Sequence, residues 1–276
     1  MTKYVVDSSC EAVSYRGQRI ESAPLMIYTD EVSYIDDGSM DIHNMLDTLE
    51  DYKGRSYTAC PGTESWLKAF EGGDLIYVVA MTSGLSGTYN SAMVAKDIYL
   101  QEHPEARVEV FDTLSTGPES KLVVEKIIEL DKSGCTFDEV CSKIREYMKH
   151  TRLFFALGSL HNMGQNGRVN KVLVSAIGLL GISIIATASE EGKVKPIAKA
   201  RGERKVIKHI LEEISGAGYK GGKLRISHVE NEPLAIKVAD GIRGNYADAD
   251  IEIYPAGGLC SYYAERGGII IGCETE

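Results

Sequence analysis

Apolar and polar positions come in blocks along this chain, and the blocks have the lengths of strands and helices. Apolar runs at residues 4–6, 25–28, 74–81 and 108–111 are of strand length. The run at 74–81, DLIYVVAM, is almost uninterrupted, as expected of a strand covered on both faces. Other stretches place apolar residues at helical spacing. They predict helices over 41–51, with Met45, Leu46 and Leu49 on one face, and over 65–70, 89–100, 121–130 and 137–149. Strand, loop and helix in repetition predict a mostly parallel sheet with crossover helices.

The pattern changes character near residues 150–152. Runs at 153–157 (LFFAL), 182–186 (ISIIA), 193–197, 224–229, 251–254 and 268–273 read as strands. Helices are predicted over 204–214 and 233–246, with a short turn-rich one over 158–166. Residues 172–180 are apolar on nearly every side and predict a buried helix. No low-complexity linker and no repeat of fixed period is visible. The expected fold class is α/β. Two α/β domains with mostly parallel sheets, residues 1–150 and 151–276, would pack together with a ligand cleft or tunnel between them.

Charge narrows the function. The 276 residues carry 30 Lys and Arg against 40 Asp and Glu, a net of −10. Residues 1–150 hold 14 basic and 26 acidic side chains, leaving −12; residues 151–276 hold 16 and 14, leaving +2. An acidic first half repels phosphate, so nucleic acid is not an expected partner. No apolar run reaches the length of an integral membrane segment, and the first ten residues read as a strand rather than a signal peptide. The six cysteines form no CxxC pair, which predicts reduced thiols and a cytoplasmic location. The six histidines form no HExxH motif, so no catalytic metal is expected.

The sharpest chemistry lies at 81–92, MTSGLSGTYNSA, between a buried strand and a helix. Ser83, Ser86 and Thr88 offer hydroxyls, and Gly84 and Gly87 let the backbone approach a ligand. The helix start adds N–H groups and a positive dipole end, a combination that suits a phosphate or a carboxylate. A plain Ser cap with glycine turns fits the same residues. The segment is neither GxGxxG nor a Walker loop, and its Gly84-Leu85-Ser86-Gly87 is one residue short of a nucleophile elbow. In SYTACPGT, residues 56–63, Thr58 could donate to the same ligand or simply cap the next helix. Cys60 would be a nucleophile only beside a base. Seven basic residues crowd 193–208, among them Lys193, Lys199, Arg201 and Arg204. Such a run is a solvated face or a surface for an anionic partner. Arg168, in a Gly-containing turn, is a second candidate for an anion contact. Asp7 and Asp112 follow strands, where Asx-turns are the default.

Taken in order, VDSSC, the T-x-x-P of 58–61, SGLSGTYNSA, FDT, NGRV and the KxRG of 199–202 resemble the DegV family, and the likeness runs along essentially the whole chain. The resemblance implies a two-domain α/β protein that buries one long-chain fatty acid, such as palmitate, stearate or oleate, and needs no cofactor. It implies a non-catalytic role, the lipid-carrying subunit of a fatty acid kinase system. An ATP-dependent fatty acid kinase subunit would then convert the presented carboxylate to an acyl phosphate. Carried over, Thr58 and either Ser83 or Ser86, on the Gly84 and Gly87 loop, would hold the carboxylate. Arg168 and Arg201 would receive the kinase. The first motif, usually T-S-x-P-S, reads T-A-C-P-G here. Tyr263, in LCSYYAERGG, falls near the position of a family histidine; either its phenol would take over that contact or that corner would serve a variant ligand.

Burial of each tail methylene, worth roughly 0.8 kcal/mol, would dominate such binding. Two rival readings use the same loop. A serine hydrolase would need His161 or His228 within reach of Ser83 or Ser86. A binder of a small phosphorylated metabolite would need a small polar pocket instead of a long apolar one.

Overall fold

The computed structural model describes residues 1–170, 173–174 and 181–276, so the helix predicted over 172–180 lies outside the described residues except for 173–174. The first sheet is parallel throughout and is built from β1 (Thr2–Asp7), β4 (Glu21–Ala23), β8 (Leu75–Ala80) and β9 (Arg107–Asp112) in the order β4-β1-β8-β9, with a small antiparallel hairpin, β2 (Ser14–Tyr15) and β3 (Gln18–Arg19), between β1 and β4 in the chain. Period-two alternation splits its strands between two cores. Tyr4, Val6, Tyr77 and Val79 face α4 (Gly117–Lys132) and α5 (Phe137–Tyr147). Val5, Ile76, Val78 and Ala80 face α2 (Thr63–Phe70) and α3 (Thr88–Glu102). Helix α5 starts at a complete capping box, Thr136 with Glu139.

The second sheet has the order β12-β11-β10-β15-β13-β14, from β10 (Thr151–Leu157), β11 (Ile182–Ala188), β12 (Val194–Arg201), β13 (Lys223–His228), β14 (Asp250–Pro255) and β15 (Ile269–Glu274). It is mixed: β13 and β14 run parallel, while the four other pairings are antiparallel. The α/β class stands, but the expectation of mostly parallel sheets holds only for the first sheet. Runs such as LFFAL report burial on both faces, which crossover helices produce for either strand direction. Leu153, Phe155 and Leu157 face inward, while Phe154 and Ala156 face α7 (Glu203–Gly216) and α8 (Glu232–Arg243).

Helix α4 lies between the two sheets, and its backbone comes so close to β15 that a Cβ on Gly272 would overlap Pro118 and Glu119. The strands of the first sheet all come from residues 2–112 and those of the second from 151–274. Three shorter antiparallel strands, β5 (Met26–Tyr28), β6 (Ser33–Ile35) and β7 (Tyr57–Ala59), close one end. Beside them stand α1 (Ile42–Asp51), α9 (Gly258–Ala264) and, against α9, the short α6 (His161–Gln165). Residues from these elements, from Met81 and from the inner face of the second sheet form one continuous apolar cluster.

Candidate functional site

The first sheet delivers its loops to one place. Asp7 ends β1 fully buried, and its carboxylate accepts from the backbone N–H of Met81 at 2.6 Å and of Ser9 at 3.0 Å. Burial pushes its pKa up to about 6, against the opposing pull of those hydrogen bonds. Asp112 ends β9 and accepts from the N–H of Ser83 at 3.0 Å and of Leu114 at 3.2 Å. Two carboxylates at strand ends therefore pin the loop 81–87 by local and cross-loop bonds.

The turn between β11 and β12 locks the loop from the other side. Thr82 Oγ1 donates to the carbonyl of Gly192 at 2.9 Å and accepts from Gly84 N–H at 3.0 Å. A Cβ on Gly84 would overlap the carbonyl of Glu191, so this position needs glycine for the close approach.

A cavity of about 620 Å³, mouth included, opens beneath this loop. Its wall is mainly apolar, with Leu25, Met81, Phe155, Met163, Leu259 and Ile270 supplying much of it. A few polar groups converge on it: Thr58, Ser86, Thr116, Arg168 and Tyr263.

Thr58 sits on β7 and Tyr263 on α9, and their hydroxyls lie 2.7 Å apart. One donates to the other, which leaves a single O–H proton free for a ligand. Burial holds the Tyr263 phenol above its ordinary pKa, so it is neutral at pH 7. Ser86 Oγ lies 2.7 Å from Thr88 Oγ1 and accepts from the Thr88 N–H at 3.3 Å. Thr88 is fully buried, so when its hydroxyl donates to Ser86, the Ser86 proton is left to point at a ligand. The cavity head thus offers two neutral hydroxyl donors. That set suits a carboxylate held reversibly.

Arg168 stands in the cavity wall. Its Nε donates to the carbonyl of Leu85 at 3.1 Å and its Nη1 to that of Asn166 at 2.5 Å. Ser83 is exposed and is not among the lining residues. Gly87 caps α3 without a side-chain bond, with Cys60 close by. Arg201 is exposed at the far end of β12, roughly 20 Å from Val194 by strand rise. The sites named from the sequence therefore divide. Thr58, Ser86, Tyr263 and Arg168 come together, whereas Ser83 and Arg201 stay outside.

Sequence reasoning missed α9 as an element. Its first N–H groups are capped from more than 200 positions away, Gly257 by Glu11 at 2.7 Å and Gly258 and Leu259 by Asp36 at 2.9 and 3.0 Å. No local cap signal could have revealed it. No histidine lines the cavity among the described residues. His161 instead meets Gln165, and His228 meets the N–H of Asn231. Among the described residues no cluster of metal-ligating side chains occurs, and no helix is long and apolar enough to cross a membrane.

Three comparisons place the chain. In sequence, a DegV domain-containing protein of Streptococcus pneumoniae R6 is 38% identical over 278 residues, covering 99% of each chain. In structure, a DegV family protein from Eubacterium eligens, solved loaded with heptadecanoic acid, matches at 52% identity and a TM-score of 0.98 over 100% of both chains. The fatty acid kinase B3 protein of S. pneumoniae, solved loaded with linoleic acid, matches at 38% identity and a TM-score of 0.97, over 100% of this chain and 99% of that one. The family model described as uncharacterised protein, DegV family, matches residues 1–275, and with relatives this similar along their whole length the chain belongs to the DegV family.

Proposed function

We propose that this protein binds one long-chain fatty acid, with its tail in the apolar cavity and its carboxylate at the hydroxyls of Thr58, Ser86 and Tyr263. The observation that carries this reading is the cavity itself, a mainly apolar chamber with neutral donors gathered at one part of its wall. A mainly apolar wall fits an acyl chain, whereas a small phosphorylated metabolite would leave most of that wall without a partner. Ser86, with Thr88 for a neighbour and no histidine on the cavity wall among the described residues, is a donor and not a nucleophile. Its place in the lining favours Ser86 over the exposed Ser83 as the carboxylate contact.

The chain is non-catalytic by this reading. It presents the carboxylate to a separate ATP-dependent kinase subunit, in keeping with its likeness to the fatty acid kinase B3 protein. Residues 1–150 and 151–276 act as two domains, each carrying one of the large sheets. Arg201, exposed on the edge strand β12, belongs to the surface that meets the kinase, and a partner of ordinary interface size would cover both it and the cavity mouth. Six free thiols agree with a cytoplasmic location.

The test is the identity of what co-purifies. Mass spectrometry of the gently denatured protein should find a C16–C18 acid. Palmitate added to delipidated protein at 100 times its Kd should raise the unfolding free energy by about 2.7 kcal/mol. Lipid-free protein that gains no stability from palmitate or oleate would overturn the reading.

A further inference from the structure

Residues 37–55 hang between two fixed points. On one side Asp36 caps α9 at 2.9 and 3.0 Å; on the other, Ser56 Oγ lies 2.8 Å from the buried Tyr262 hydroxyl. Between these posts stands α1, joined to each by a linker without regular structure, one with Gly38 at φ +86° and the other with Gly54. Asp41 supplies the N-cap from within the segment, to the N–H of Asn44 at 3.0 Å, so α1 can move as a body and keep its cap. Its inner face packs Met45 and Leu46 against α9, in the apolar cluster that contains the cavity-wall residues Leu25 and Leu259. Among the described residues, every hydrogen bond and ion pair that leaves the segment ends on Asp30, Glu230 or Arg266. Arg266 is the main tie. Its Nε donates to Glu50 at 2.8 Å and its Nη2 to Asp47 at 2.5 Å, while Nη1 meets Glu230, whose other oxygen lies 2.5 Å from His43 Nδ1. The other parts of the wall hang on buried groups: the 81–87 loop on Asp7, α9 on Asp36, and β10 and β15 on neighbours within the second sheet.

We propose that residues 37–55 are a flap whose opening loosens the cavity wall for fatty-acid exchange, and that Arg266 is the latch that holds it shut. The inference rests on the fatty-acid reading above. The rim of the cavity at the 81–87 loop is fixed by buried bonds, so a long acyl tail can be withdrawn only if the wall widens behind it. Opening at α1 breaks bonds that water can replace and uncovers few apolar side chains, Ile42, Met45, Leu46 and Leu49. With α1 swung out on its two linkers, Leu25 and Leu259 lose the packing behind them, and the wall between them can part. Arg266 is not among the lining residues and touches no part of the cavity that a bound tail would fill. The latch therefore sets the barrier to exchange and leaves affinity alone.

The probe is cis-parinaric acid, a fluorescent fatty acid, bound to delipidated protein and displaced by excess palmitate in stopped flow. Arg266→Ala should raise the association and dissociation rates together, each about fivefold, the upper effect of an exposed charge pair, with Kd within twofold of wild type. Asp47→Ala combined with Glu50→Ala, which cuts the same latch at two exposed positions on α1, should reproduce the change. Raising the salt concentration should speed exchange in wild type and narrow its difference from Arg266→Ala. Unchanged rates in both variants would overturn the latch. Faster dissociation with unchanged association, and so a weaker Kd, would overturn it too, because Arg266 would then be supporting the bound state. Either result would leave the fatty-acid reading intact. Wild-type protein that binds neither parinarate nor palmitate would overturn both.

Discussion

At the scale of single residues, the site works through hydroxyls whose second partner is another hydroxyl. Ser86 against Thr88 and Thr58 against Tyr263 each use one proton internally and keep one for a ligand. Ser86→Ala removes a donor to a charged oxygen, worth about 1.5–3 kcal/mol, so palmitate retention should fall at least tenfold. Ser83→Ala should leave retention unchanged, because Ser83 is exposed and outside the lining. Equal losses in the two variants, measured by competition with a fluorescent fatty acid, would remove Ser86 from the head-group site.

Glu11 is the other residue with a distinctive environment. Burial raises its pKa from 4.5 to about 7, opposed by the N–H of Gly257. The folded protein therefore holds a proton there that the unfolded chain has already released between these values. Stability from this group is present below about pH 4.5 and declines as pH rises through 7, by on the order of 3 kcal/mol. Asp7, raised to about 6, acts in the same direction. Urea unfolding should show Glu11→Gln flattening the decline between pH 5 and pH 8. An unchanged slope would mean that Glu11 ionises normally.

Among the elements, α9 is the one that depends most on distant help. It has seven residues, too short to be stable alone, and it carries Tyr263 to the cavity. Asp36 supplies the acceptors for its first two N–H groups. Asp36→Ala should cost about 1–2 kcal/mol in unfolding and should also weaken palmitate, because Tyr263 loses its anchor. A stability loss without any change in palmitate affinity would separate the cap from the site.

The whole molecule is tied across α4. Arg225 on β13 meets Glu125 on α4 through two bonds, 2.9 and 2.8 Å, with both side chains almost wholly buried. Lys223 adds a bond to the same Glu125 at 3.0 Å. This cluster joins the helix layer of the first sheet to the second sheet. Arg225→Ala should cost about 3 kcal/mol, chiefly by leaving buried acid under-paired. The double variant Arg225→Met with Glu125→Leu should recover most of that loss in chemical denaturation. A double variant as unstable as the single one would show that the pair contributes more than charge balance.

Much of the fold was legible because its signals are local. Amphipathic spacing located α1, α5 and α7 to within a few residues, and unbroken apolar runs located β8, β10 and β15. Hydroxyls and glycines at 81–92 marked the loop that bears Ser86. Strand direction in the second sheet was not legible, since two-sided burial looks the same in parallel and antiparallel neighbours. Nor was the meeting of Thr58 with Tyr263, 205 positions apart. The chain by itself determined which segments become strands and helices, because backbone propensity and side-chain period act over a few residues. Only the tertiary structure decided which ends meet around the cavity, because those contacts depend on how the layers stack about α4 and on caps that Asp7, Glu11 and Asp36 provide from far along the chain.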